Sequence, residues 1–537
     1  MEKQQLCNKF YDIDNLVTIK VSMPDADWSA VKNASPQGGT CNFGWKGDRY
    51  TWYKATSVTI SGTKFPEPTT FSNVGIIKKS FCGSFSNSKP SLRFDYAQYD
   101  TANEKAIEKV IGVHNLVVNN CKQDDSYVRQ PLGYDLCRQA GIPYMRCNFA
   151  KVVVNDVDMG VYVNLEPIKK RFIQNNFNGN DKGNAYELEL GEDLVVSDID
   201  SSRISFEGFS SYKDSKDLRL AATQIASGGI IGAKQVIDFD QYLKFSAMEA
   251  LFKHWDGYAL NRNNTYVYND HVAVADPTID DVNFKFIMSG IDQILQPGQE
   301  FHVGGNSKLG ALVRADKDAT ASLYAAIRNL ANTVFTRENH DGMIKPMIDR
   351  MEALLKTAGV TPGSKITEVR NQIRLVRTAA FQLIGEFPTN ESRFMAKDTG
   401  NCFSASEEEF VTGSTSPQRE VIHGQPTGVP ADLWTMTPGT KEKSYKFQNN
   451  AYSSWLHCDK TIKTSRGNYD VYSFSGAATS NNDFAIQHDG VREWHASGYF
   501  RMQSVATGNF LHFSESDLTL KGKKQVYQGG ATTLFLL

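Results

Sequence analysis

Asp256, Asn261, Asn264 and Asp292 are the residues of this chain best suited in type and spacing to do chemistry. Asp256 follows His254-Trp255, and Asn261-Arg262-Asn263-Asn264 comes next; the second carboxylate, Asp292, stands 36 positions beyond the first. Two Asp and an Asn form an oxygen-donor set, which suits a hard cation such as magnesium better than His or Cys would. Phosphoryl transfer from a nucleotide uses such a set: one Asp orients or accepts the proton of the attacking hydroxyl, and Asn and Asp hold metal on the phosphates. Asp and Asn also populate turns and caps through local hydrogen bonds, and that bland reading competes at every one of these positions.

The elements that must position these groups are legible around them. Phe245, Met248, Leu251 and Phe252 recur at helical spacing and predict a helix that exits just before His254. Thr265-Tyr266-Val267-Tyr268 and Phe284-Lys285-Phe286-Ile287-Met288 read as two strands, the second delivering Gly290-Ile291-Asp292. Upstream, Cys82-Gly83-Ser84-Phe85-Ser86-Asn87-Ser88 is a small-residue turn before strand Ser91-Leu92-Arg93-Phe94. The backbone N–H groups of Gly83 and Ser84 could cradle phosphate oxygens there, with Lys89 or Arg93 supplying a cation; a plain hairpin loop is the rival reading. Asp124-Asp125-Ser126 reads as the cap of a helix running to Gln139, closed by Gly141 and Pro143. Ala150–Val154 and Val161–Leu165 form a hairpin that runs into Glu166, either the adenine side of a nucleotide site or a dipole-favoured acid at a helix start.

These segments together resemble the CotH family of atypical protein kinases. The resemblance rests on His254-Trp255-Asp256-Gly257-Tyr258 through Asn264-Thr265-Tyr266-Val267-Tyr268, on Phe286 to Gln293, on Phe81 to Tyr96, on Leu116 to Pro143 and on Val152 to Phe172, all in the family's order and spanning roughly residues 10 to 385. It implies an α+β fold, a bilobal atypical protein-kinase-like domain that uses ATP and magnesium, with manganese as an alternative, to phosphorylate a protein hydroxyl. Asp256 is then the catalytic residue, Asp292 with Asn261 or Asn264 the metal ligands, and Gly83, Ser84, Lys89, Arg93 and Glu166 the nucleotide side. Three positions depart from the family. Gln130 stands where a Glu would pair with the strand cation, Glu187 follows Tyr186 where a Lys is usual, and Ser289-Gly290-Ile291-Asp292 replaces Trp-Asp-x-Asp. An AMP transferase or amino-acid ligase on the same fold, and a non-catalytic surface adhesion protein, are the alternative expectations.

From about residue 390 the pattern changes. Phe394, Phe447 and Phe500 recur at spacings of 53 and 53, and Trp434, Phe484 and Phe535 at 50 and 51. A period near 50 in an all-β stretch means repeated units. Three of them resemble a β-trefoil of the lectin type, with carbohydrate or protein as the expected ligand; Tyr452, Trp455, Trp494, His457 and His512 are candidate contact residues. The expected organisation is therefore a β-rich segment over 1–70, a catalytic region over 71–388 and a β-trefoil over 390–537.

The totals bound the rest. With 537 residues the chain has room for two or three domains. A net charge of −2 gives no pull toward nucleic acid. No apolar run of about 18 residues predicts a spanning helix. The first residues, Met1 to Gln5, lack an apolar signal core, which fits a cytoplasmic protein, non-classical export or a removed leader. The eight cysteines show no Cys-x-x-Cys and read as free thiols, with disulfides left open by their even number. Arg370, Arg374 and Arg377 read as a solvated helix face.

Overall fold

The computed structural model describes residues 2–536 except 44, 46–47, 202–203, 388–390, 400, 411–417, 428, 442–443, 464–468, 476, 490–494, 519–523 and 530–532. It mixes helices and sheets with a large share of strand, and it divides into two compact units. The first takes residues 1–299, 303–334 and 341–372; the second takes 300–302, 335–340 and 373–537.

The first unit begins with a closed barrel. Seven strands, β1 (Val17–Ser22), β2 (Tyr53–Gly62), β3 (Phe65–Lys78), β4 (Leu92–Asp95), β5 (Asn115–Asn119), β6 (Cys147–Val154) and β7 (Val157–Leu165), join in the order β1-β2-β3-β4-β5-β7-β6. Parallel pairing of Val17 with Ala150 and Val21 with Val154 closes it. Alternation drives the inside-out sorting. Val17, Ile19 and Val21 of β1, Leu92 and Phe94 of β4, and Ala150, Val152 and Val154 of β6 are buried together. Each of the larger aliphatic side chains contributes roughly 1.5–3 kcal/mol on leaving water. Two helices inside the β-rich segment, Glu2–Phe10 and Asp25–Asn33, escaped the sequence reading because both are short and weakly apolar.

A four-stranded sheet follows, in the order β11-β10-β8-β9, where β8 is Ala185–Leu188, β9 Ser205–Gly208, β10 Thr265–Asn269 and β11 Phe284–Met288. The helix Phe239–Phe252 is apolar nearly all round and accordingly buried. Asp238 caps its start by accepting Gln241 N at 3.1 Å, and Lys253 ends it in the left-handed region at φ 53°. Gln241 ties this helix to β11 through both amide atoms, Nε2 donating to Phe286 O and Oε1 accepting from Phe286 N. Arg370 is not solvated as expected: it pairs with Asp349 at 2.6 Å and Glu352 at 2.8 Å, because a neighbouring helix presents both acids to it. Arg377 is buried, its guanidinium lying 5.5 Å from the Phe381 ring centre.

The second unit is all strand after residue 391 among the described residues, apart from two short turns of 3-10 helix. Phe394, Phe447 and Phe500, with Trp434, Phe484 and Phe535, share one buried core, as their regular spacing requires. Three hairpins are related by that repeat: Cys402–Phe410 with Gln418–Gly424, Trp455–Lys463 with Tyr469–Phe474, and Phe510–Leu518 with Lys524–Gly529. They pair with one another through Gln418↔Phe474, Ile422↔Gln525 and Tyr469↔Gln528.

Candidate functional site

Asp256 lies in the loop that leaves the helix Phe239–Phe252, and its carboxylate is wrapped in amides. Oδ1 accepts from Asn261 Nδ2 at 2.9 Å and Asn263 Nδ2 at 3.1 Å; Oδ2 accepts from Asn264 Nδ2 at 2.9 Å. Asn264 also donates to the Asp256 carbonyl at 2.9 Å. Three donors from one short segment fix the orientation of the carboxylate. The amide nitrogens of Asn261 and Asn264 are thus both turned onto Asp256.

The β10–β11 register carries this cluster to the second carboxylate. Thr265 pairs with Met288, and Ser289 N donates to Asn264 O at 3.0 Å. Gly290 then turns in the left-handed region at φ 56°, and a Cβ built there would overlap the Asn264 side chain. Asn264 therefore touches Asp256 with its nitrogen and packs on Gly290, two residues before Asp292. A side chain at residue 290 would meet both the Asn264 amide and a left-handed backbone.

Asp292 is buried, and Asn119 Nδ2 donates to its Oδ2 at 3.2 Å. Burial pushes it up to about 6, Asp124 adds to the rise, and the Asn119 bond and the charge of Lys79 pull it back. Asn119 Nδ2 also reaches Gln130 Oε1 at 3.1 Å, so the Gln in the helix Arg129–Gln139 bonds an amide instead of pairing with a cation. That helix starts at Arg129, later than its acidic cap motif suggests; Asp124 nevertheless accepts Arg129 N at 3.0 Å and pairs with its guanidinium at 2.6 Å.

Among the nucleotide-side candidates, Ser84 and Lys89 are joined through Asn120, whose Nδ2 donates to the carbonyl of each at 2.9 Å. Lys89 Nζ donates to Val161 O at 2.6 Å and to Tyr127 Oη at 3.2 Å, and lies over the Tyr127 and Tyr162 rings. Burial lowers its affinity for a proton. Arg93 on β4 instead spreads over Trp52, and its charge reaches Tyr266 on β10. Gly83 and Ser84 stand in a short 3-10 turn, Cys82–Ser84. Ser84 N and Phe85 N close that turn on Phe81 O and Cys82 O at 3.0 Å each, and Ser84 Oγ donates to Phe81 O, so the expected row of free N–H groups is not formed by Ser84. The turn is pinned differently: a Cys41–Cys82 disulfide ties it to the Gly-rich loop before β2. Free thiols are the expectation from sequence, with disulfides left open by the even count: one pair is bridged, Cys7, Cys121, Cys137, Cys147, Cys402 and Cys458 are free, and all of these but Cys147 are buried. The Glu166 carboxyl is fully buried in an ion pair with Arg146, whose Nε donates to Oε2 at 2.9 Å, so only backbone groups at this position remain for the adenine side.

Several residues near the site carried no sequence signal. Lys79, just past β3, is exposed, and its charge reaches both Asp292 and Glu187. Burial pushes Glu187 up to about 7, with Glu207 beside it adding to the rise and Tyr266 and Lys79 opposing it. Asn263, Asn119 and Glu249 act through side-chain bonds that the spacing of residue types does not reveal. His254 is pushed down to about 4 by burial and is therefore neutral near pH 7, its Nε2 lying 3.3 Å from Ser289 O. Gly305 approaches the same loop closely, since a Cβ there would meet Ala259 O, and Asn306 N, the next in the chain, donates to Ala259 O at 2.7 Å.

In the second unit, Tyr452 carries the Arg419 guanidinium 3.9 Å from its ring centre, and Trp455 is half-buried. His457 lies 3.4 Å from Asn482 and His512 3.1 Å from Thr533. Trp494 lies outside the described residues. No helix of the described residues is long and apolar enough to cross a membrane.

Comparison with known proteins gives one family. No curated protein matches the chain. Solved structures resemble about a quarter of it. One is a Caenorhabditis elegans protein of unknown function (14% identical, covering 28% of this chain and 92% of that one, TM-score 0.25). Another is the SDF2-like protein from Arabidopsis thaliana (20% identical, 27% and 90% covered, TM-score 0.23). A third is the designed 3-fold symmetric protein ThreeFoil (15% identical, 27% and 96% covered, TM-score 0.22). The family model described as CotH kinase protein matches residues 80–374, more than half of the chain and the whole span from the disulfide-pinned turn to Asp292 and beyond, and the protein belongs to that family.

Proposed function

We propose that this protein transfers the γ-phosphoryl group of ATP to a protein hydroxyl in a magnesium-dependent reaction, and that its second unit is a β-trefoil binding module for carbohydrate or protein. The observation that carries the catalytic reading is the shared Asn264, which bonds the Asp256 carboxylate and packs on the turn that delivers buried Asp292. In this reading the barrel is one lobe, and the four-stranded sheet with its helices is the other.

The donor set fits a hard cation. Asp292 and the amide oxygens of Asn261 and Asn264 are all oxygen ligands. A carboxylate buried as deeply as Asp292 is stabilised as an anion by a divalent charge. Magnesium, or manganese in its place, would neutralise charge on the phosphates. Asp256 orients the acceptor hydroxyl and takes its proton as the oxygen attacks. Its three amide donors keep it in place without a proton of their own to give away. Lys79, exposed and electrostatically coupled to Asp292, is the cation best placed to attract the triphosphate.

The β-trefoil reading rests on the three mutually paired hairpins and the sixfold aromatic core. One observation favours a second outcome: Gln130 and Lys89 do not form the acid–cation pair of a phosphoryl-transferring kinase. The same fold with a differently oriented nucleotide would transfer AMP. Incubation with γ-labelled and with α-labelled ATP, wild type against Asp256→Ala, separates these. Protein label from the γ position alone, lost in the variant, supports the kinase. Label from α supports AMP transfer, and label from neither favours a non-catalytic adhesion role.

A further inference from the structure

Glu249 sits in the middle of the helix Phe239–Phe252, among Ala247, Met248, Ala250 and Leu251, and is 2% exposed. A carboxyl in such surroundings is costly unless its oxygens are bonded. Its bonds go to the loop that carries Asp256. Oε1 accepts from Tyr258 N at 2.8 Å and Oε2 from Ala259 N at 3.2 Å. These are the second and third backbone N–H groups after Asp256. Between them and Asp256 lies Gly257, where a Cβ would overlap the Glu249 carboxyl, so only glycine lets the loop approach this closely.

The path of the chain shows what the contact does. The helix ends at Lys253 in the left-handed region, and the backbone folds back so that the amides of residues 258 and 259 meet a side chain one turn before the helix end. Other segments grip the same two residues. Asp193 accepts Tyr258 Oη at 2.7 Å and Lys308 N at 2.7 Å, and Asn306 N donates to Ala259 O at 2.7 Å. Side-chain and backbone bonds thus clasp Tyr258 and Ala259, the residues two and three positions after Asp256. Among the described residues no cation pairs with Glu249; burial pushes it up to about 8, and only the two backbone bonds oppose that rise. Its role is to accept backbone N–H groups, not to pair with a charge.

We propose that Glu249 is the positioning residue for Asp256, acting through the backbone of Gly257, Tyr258 and Ala259. The proposal rests on Asp256 as the catalytic residue. Glu249 touches no reacting atom, so its loss displaces the catalytic carboxylate and leaves the Asp292 side of the site in place.

Glu249→Leu and Glu249→Gln in the full chain test it, with Asp256→Ala as the reference. Three quantities are read: turnover of γ-labelled ATP, affinity for magnesium–ATP, and hydrogen exchange of the segment 256–261. Leu removes both acceptors; it is expected to lower turnover about 100-fold, the effect of a displacement near 1 Å. It is also expected to speed exchange in 256–261 and to change nucleotide affinity less than about twofold. Gln keeps one acceptor and is expected to recover at least about a tenth of wild-type turnover, and it carries the test if Leu does not fold. Wild-type exchange in 256–261 for both variants overturns the proposal, and so does a fall in turnover matched by an equal fall in nucleotide affinity. If the wild type turns over no ATP, the catalytic reading fails separately, and the exchange data alone decide whether Glu249 holds the loop.

Discussion

Replacing Gly290 by alanine probes the link between the two carboxylates. Gly290 has φ 56°, and its missing Cβ is the space that the Asn264 side chain fills. Alanine in the left-handed region costs about 1 kcal/mol. The new methyl must also push the Asn264 amide away, which breaks its bonds to Asp256 Oδ2 and to Asp256 O, both 2.9 Å. A hydrogen bond to a charged group contributes about 1.5–3 kcal/mol and one to a carbonyl about 1. The sum is about 4 kcal/mol if nothing relaxes, and about half that if the amide finds water. In urea unfolding the variant is expected to lose about 2–4 kcal/mol, and γ-labelled ATP turnover to fall about 100-fold because Asp256 loses one of its three amide donors. The double variant Gly290→Ala/Asn264→Ala removes the overlap and should be more stable than the sum of the two single effects predicts, a coupling of at least about 1 kcal/mol. Additive effects, or an active Gly290→Ala protein of wild-type stability, would refute the claim that Asn264 joins the two halves of the site.

Two further predictions concern pH and redox state. Asp292 rises from an ordinary 3.8 to about 6 on folding, so its contribution is fully present below about pH 4 and is lost as pH rises through 6. Without divalent cation, Asp292→Asn should remove about 3 kcal/mol of stability loss between about pH 4 and pH 7, read as a flatter urea midpoint against pH; an unchanged slope would exclude this carboxyl as the source. The Cys41–Cys82 bridge closes a loop with a separation of 41 residues, and Cys41 is exposed. Loop-closure entropy for that length is about 4 kcal/mol. Dithiothreitol should lower the melting temperature of the wild type and leave the Cys41→Ser/Cys82→Ser variant unaffected; equal melting of oxidised and reduced wild type would show that the turn is held by its other contacts, Cys82 N to Thr40 O among them.

Local pattern made much of this protein legible from sequence. The apolar run before His254, the strands Thr265–Tyr268 and Phe284–Met288, and the aromatic repeat of the C-terminal third are all periodic signals. Periodicity reports which side of an element meets other apolar surface, and that requirement is local. The same signals put Asp256 at a helix exit and Asp292 at a strand exit.

Residue type and spacing by themselves determined that this chain carries an Asp/Asn set ordered like that of its family, and a threefold aromatic repeat. Only the tertiary structure decided what each polar side chain faces. Glu166 sits in a buried ion pair with Arg146, Lys89 turns to the Val161 carbonyl, Cys41 bridges Cys82, and Asn264 takes the space beside Gly290. The reason is physical. A polar group leaving water is stabilised by whichever partner the fold brings within about 3 Å, and for these residues that partner lies on a different element.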